Sequence, residues 1–114
     1  MSIRANVQAV IDGISKGDIL GTFDEWYADD VVMSENDADE RVGKAASRAY
    51  EEAFVNGVEF HAAEVGQVIV DEDHAAIEWA FELTPHGGAR TVQKQVAVQT
   101  WRDGKIVREV FYHG

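Results

Sequence analysis

The stretch VQKQVAVQTWRDGKIVREVFYH, Val92–His113, decides how this chain is read. Two alternating runs flank Asp103-Gly104, and such a pair closes a tight hairpin because Gly accepts, and Asp tolerates, the positive φ of a primed turn. The expectation is two long antiparallel strands. Side chains alternate along a strand, so Gln93, Gln95, Ala97, Gln99 and Trp101 share one face, and Val92, Lys94, Val96, Val98 and Thr100 the other. In the second strand Val107, Glu109, Phe111 and His113 lie opposite Ile106, Arg108, Val110 and Tyr112. A face with three Gln, with Glu109 and His113 available from its neighbour, is either a solvated surface or the polar lining of a cavity.

Upstream of the hairpin the period is also two. Val58–Val70 reads as one long strand, Asp71-Glu72-Asp73 as a turn, Ala75–Leu83 as another strand, and Pro85-His86-Gly87-Gly88 as the turn into the hairpin. Ile77, Trp79, Phe81 and Leu83 share a face, which needs a helix or a second subunit over it.

Before Val58 the helical period takes over. Ile3, Val7, Val10, Ile11 and Ile14 form an amphipathic stripe, with Ser2 placed to cap it and Gly17 to stop it. Asp18 is placed to cap a second helix through Trp26 and Tyr27, although Gly21 costs that helix ~1 kcal/mol relative to Ala. Ala28-Asp29-Asp30 breaks the pattern, Val31, Val32 and Met33 begin a short strand ending at Ser34-Glu35, and Asn36–Arg41 is turn-like. After Gly43 a third helix takes Ala45, Ala46, Ala49, Tyr50, Ala53 and Phe54 as its apolar stripe and stops near Asn56-Gly57. Helices first and a long antiparallel meander after make an α+β domain in the order α-α-β-α-β-β-β-β, with the helices packed on one face of a strongly curved sheet.

The whole chain, residues 1–114, reads as one domain. With 21 acidic against 10 basic residues, its net charge of -11 argues against a nucleic-acid or anionic-membrane surface. The absence of Cys excludes disulfides and thiolate chemistry. No signal-like or membrane-length apolar run is present, and the expected location is cytoplasmic. Asp37-Ala38-Asp39 lacks the spacing of a calcium loop, and His61, His74, His86 and His113 show no i, i+4 pairing, so neither a metal nor another cofactor is expected.

The order of these elements, with Lys16-Gly17-Asp18, Trp26-Tyr27-Ala28-Asp29-Asp30-Val31-Val32, Gly43-Lys44-Ala45 and Trp101–Glu109, resembles the nuclear transport factor 2-like superfamily, and within it the SnoaL-like and ketosteroid-isomerase-like small proteins. The resemblance implies a cystatin-like cone: three N-terminal helices on a long, curved, mainly antiparallel sheet, with a pocket at the open end and frequent homodimers through the outer sheet face. Ketosteroid isomerase uses a carboxylate base, with a Tyr and a protonated Asp as the oxyanion hole. Counting from the Tyr27-Ala28-Asp29-Asp30 motif, the resemblance puts the base at Glu35. It puts the two donors at Val10 and Ala97, which cannot donate. It also turns Gln93, Gln95, Ala97 and Gln99 inward, with Glu109, Phe111 and His113. The Arg and two Asp of epoxide hydrolases with this fold, and the paired His and Asp of its dehydratases, do not map onto the chain.

The candidate catalytic residues are therefore Glu35 as base, with Gln99 or His113 to polarise a carbonyl. Gln95 offers the same amide chemistry. Glu35 could equally be an exposed acid at a strand end, or one neutralised by His113 or an Arg. Trp26, Tyr27, Tyr50, Gln93, Gln95, Ala97, Glu109 and Phe111 are the candidate ligand-binding residues, the aromatics doubling as core. Two functions fit: an isomerase or cyclase that abstracts a proton next to a carbonyl in a small apolar substrate, or a non-catalytic ligand-binding or dimeric assembly domain of the same fold.

Overall fold

The computed structural model describes residues 3–114, so the Ser2 cap lies outside the described residues. Helix α1 (Arg4–Ser15) buries Val7, Val10 and Ile11. It ends where Gly17 takes φ +87°. The Gly17 amide donates to the Ile14 carbonyl at 2.9 Å and the Asp18 amide to Gly13 at 3.0 Å, the paired bonds of a Schellman ending. The Asp18 carboxylate then accepts from the Gly21 amide at 3.1 Å and starts α2 (Ile19–Trp26). Lys16-Gly17-Asp18 is thus a stop and a start in three residues.

At the far end of α2, Lys44 Nζ donates to the Asp24 carbonyl at 2.8 Å, and Lys105 Nζ donates to that of Glu25. Two cations so meet the negative end of the helix dipole. These bonds explain the lysines that follow Gly43 and Gly104. They tie the third helix and the terminal hairpin to α2.

The remaining elements are β1 (Tyr27–Glu35), β2 (Arg41–Val42), α3 (Lys44–Gly57), β3 (Val58–Asp71), β4 (His74–Pro85), β5 (Thr91–Arg102) and β6 (Lys105–Tyr112). The six strands form one sheet in the order β2-β1-β6-β5-β4-β3, with β1 parallel to β6 and every other pair antiparallel. Three helices therefore pack on a curved mixed sheet, an α+β fold. Asp103 and Gly104 both take positive φ, 53° and 79°, as a primed hairpin turn requires.

Three details differ from the sequence reading. Strand β1 begins at Tyr27, and Asp29 and Asp30 do not break it: they stand exposed where its pairing with β6 shifts register, with Asp30 3.0 Å from Arg102. Within Asn36–Arg41, Arg41 already starts the two-residue β2, pairing with Met33. On β6, Ile106 lies on the same buried side as Glu109, being 0% exposed. The β5–β6 register shifts between Thr100 and Trp101, and the extra residue flips the alternation.

Ile77 and Trp79 of β4, Ala97 and Trp101 of β5 and Ile106 of β6 share one core with Val7, Val10 and Ile11 of α1. The apolar row of β4 is thus covered within the chain. Each such large side chain contributes roughly 1.5–3 kcal/mol on burial. No helix among the described residues is long and apolar enough to cross a membrane.

Candidate functional site

Between the helices and the inner sheet face lies a cavity of about 130 Å³. Its walls are largely aromatic: Phe23 of α2, Tyr27 of β1, Tyr50 and Phe54 of α3, Trp79 and Phe81 of β4, and Phe111 of β6. Three glutamines of β5, Gln93, Gln95 and Gln99, and three glutamates, Glu35, Glu51 and Glu109, complete the lining. The inward turn of the Gln face is thus a cavity lining.

Glu109 is 2% exposed and Gln99 1% exposed. The Tyr27 hydroxyl donates to Glu109 Oε1, Gln99 Nε2 donates to Oε2 at 2.8 Å, and Trp101 Nε1 donates to Gln99 Oε1 at 3.0 Å. Both carboxyl oxygens are therefore satisfied. Burial pushes the Glu109 carboxyl up to about 7, against the pull of the Tyr27 and Gln99 hydrogen bonds, which favour its charged form. Burial, and then the Glu109 charge, push the Tyr27 phenol well above its ordinary value. Tyr27 stays a donor.

Glu51 is the acid that the sequence reading missed. It projects from α3 onto the cavity, and no donor among the described residues hydrogen-bonds to its carboxyl. Burial chiefly, then the Glu109 charge, raise it to about 7, with Glu35 adding to the rise and Arg41 opposing it. The inward face of α3 runs through Ser47, Glu51 and Phe54, whereas Ala45, Ala46, Ala49 and Ala53 are exposed. The expected alanine stripe is the outer face. Alanine's high helix propensity suits it there. Ser47 is 0% exposed and its Oγ has no hydrogen-bond partner.

Glu35 lines the cavity but is engaged. Arg41 Nη2 is 3.2 Å from Glu35 Oε2, and His113 Nε2 is 3.4 Å from Oε1. The Arg41 guanidinium also lies over the Tyr50 ring, 3.7 Å from its centre. The position of His113 depends on Asn36, whose side chain accepts from the His113 amide and donates to its carbonyl, both at 3.0 Å.

Of the candidate residues, Glu35, Gln99, Tyr27, Tyr50, Gln93, Gln95, Glu109 and Phe111 line this one cavity. His113 reaches it only through Glu35. Ala97, 0% exposed, is packed in the core, and Trp26 sits edge-on to Trp101 with ring centres 6.1 Å apart. Neither of those two lines the cavity.

Helices on a curved mixed sheet enclosing such a cavity define a class of small cavity-bearing domains, and the comparisons narrow it. A family model for the SnoaL-like domain matches residues 7–109, and the chain belongs to that family. No curated protein matches. Among solved structures, a candidate SnoaL-like polyketide cyclase from Mesorhizobium loti superposes with a TM-score of 0.88 at 27% identity, covering 99% of this chain and 100% of that one. A candidate polyketide cyclase from Pseudomonas putida gives 0.79 at 20% identity, covering 100% and 92%. An LEH-like epoxide hydrolase from M. tuberculosis gives 0.78 at 21% identity, covering 98% and 81%. The last two likenesses show the fold alone.

Proposed function

We propose that the protein is an isomerase or cyclase that binds a ring-sized, mainly apolar carbonyl compound and removes a proton from the carbon beside the carbonyl. The observation that carries this is Glu51, a cavity-facing carboxyl without a hydrogen-bond donor, whose pKa of about 7 suits a general base at neutral pH. Gln93 and Gln95 line the same cavity, and no described residue hydrogen-bonds to their side chains. Their amides are the donors for the developing oxyanion. The Gln99 amide is committed to Glu109, and Glu35 is held by Arg41 and His113. On this reading Glu35 shapes the charge of the site and Glu51 does the proton transfer. The candidate cyclase assigned to the Mesorhizobium loti relative is compatible with such chemistry.

The test is deuterium uptake at the α-carbon of cyclohexanone in D2O, followed by NMR. Wild type accelerates exchange over buffer, and Glu51→Gln loses ~10²-fold or more of that acceleration. Exchange no faster than buffer, or unchanged in Glu51→Gln, overturns the assignment.

We also infer a homodimer through the outer sheet face. Ile69 pairs with Ala76, Ala76 with Val98 and Val98 with Val110, an apolar row across four strands. Ile69 is 60% exposed and nearby Tyr112 50% exposed. A continuous apolar row of this kind suits an isologous contact.

A further inference from the structure

We propose that the ligand of this cavity carries a protonated amine, seated against the Glu51 carboxylate and the surrounding aromatic faces. This rests on reading the cavity as a small-molecule site and deepens it by naming the substrate class.

The argument is one of charge and partners. Three carboxyls face the cavity, from β1, α3 and β6, and among the described residues Arg41 of β2 is the cation that acts on Glu51 and Glu109. Arg41 is paired through Nη2 with Glu35 and lies over the Tyr50 ring, and its buried Nε has no hydrogen-bond partner, so it acts on Glu51 through space and not by a hydrogen bond. Glu109 has both oxygens filled by Tyr27 and Gln99. Glu51 is left without a hydrogen-bonded counter-charge. A neutral ligand would strip water from that carboxylate and return no counter-charge, at a cost in affinity. An anion would meet Glu51, Glu109 and Glu35 together. An ammonium group supplies the missing counter-charge and its donors at once.

The walls point the same way. Phe54 and Tyr50 flank Glu51 on α3, and Phe23, Phe111 and Trp79 line the same space. Aromatic faces attract cations, more strongly once water is excluded. A cavity of about 130 Å³ is on the scale of a single six-membered ring, since an apolar void of ~150 Å³ holds benzene. The chain's net charge of -11 also raises the local concentration of cations. An ammonium on Glu51 keeps that carboxylate ionised, which is the form that can accept a proton from carbon. A small amino-carbonyl compound therefore satisfies both halves of the site.

Benzylamine and benzyl alcohol, close in shape and differing in charge, test this by calorimetric titration at pH 7.5. The wild type is expected to bind benzylamine at least tenfold more tightly, with net proton release seen by comparing buffers of different ionisation enthalpy. Affinity for the amine rises with pH through about 7, as Glu51 ionises. In Glu51→Gln the preference for the amine falls to near unity. No benzylamine binding, equal binding of the two compounds by wild type, or a preference retained in Glu51→Gln overturns the proposal. If the variant does not fold, the wild-type comparison and its proton release decide alone. Ketone exchange without amine preference would overturn this inference and leave the carbonyl chemistry standing. Amine preference without exchange would do the reverse.

Discussion

The phenol of Tyr27, at the start of β1, donates a hydrogen bond to the carboxylate of Glu109 on β6, 82 residues further along the chain. This bond crosses the one parallel pairing in the sheet, and both residues line the cavity. It holds a charge-capable group in the core without an ion partner. Tyr27→Phe removes the donor and leaves one buried oxygen of Glu109 unpaired, at a cost of ~1–3 kcal/mol. The loss is expected to be larger at pH 8, where Glu109 is ionised, than at pH 5, where it holds its proton. Urea denaturation at the two pH values checks this, and an equal loss at both would mean that Glu109 does not change charge between them.

Glu51 links stability to pH with a definite sign. Its folded-state pKa is about 7 against an ordinary 4.5, so between those values the folded protein holds a proton that the unfolded chain has released. Its contribution to stability falls as pH rises through that window and is level above it. Glu51→Gln removes the effect. The variant should match wild type near pH 4.5 and exceed it at pH 8 by up to roughly 3 kcal/mol, read from denaturant midpoints. A variant equally or less stable at pH 8 would show that the carboxyl is not desolvated. Stability gained where activity is lost is the usual mark of a functional group held at a cost.

Much of this was legible in the sequence, and the parts that were not share a physical reason. The Asp103-Gly104 turn, the Gly17 stop and the Asp18 start were readable because each is decided by a few adjacent residues. Glu51 was not, because the apolar periodicity of the third helix pointed to the alanines. The face that turns inward carries the buried Ser47 and the cavity-lining Glu51, polar residues that apolar periodicity does not register. The Ile106 side was misread for a related reason. A bulge on β6 is a property of strand pairing, and no local residue pattern announces it. The Gln face of β5 could be wet or enclosed until the helices were placed over it, and the resemblance, not the alternation, favoured enclosure.

The outer sheet face gives the last prediction. Val98 sits in the row Ile69, Ala76, Val98, Val110, with Val96 and Tyr112 paired beside it. That row lies on the face away from the cavity, so a charge there should disturb association without touching the site. Light scattering after size exclusion should give a dimer for wild type and a monomer for Val98→Glu, with circular dichroism unchanged. The monomer should still bind cavity ligands, because Val98 lies on the strand face opposite the lining residues Gln93, Gln95 and Gln99. A wild type that stays monomeric at high concentration would mean that the row is solvated. A monomeric variant that loses ligand binding as well would mean that pairing of the sheets holds the cavity in shape.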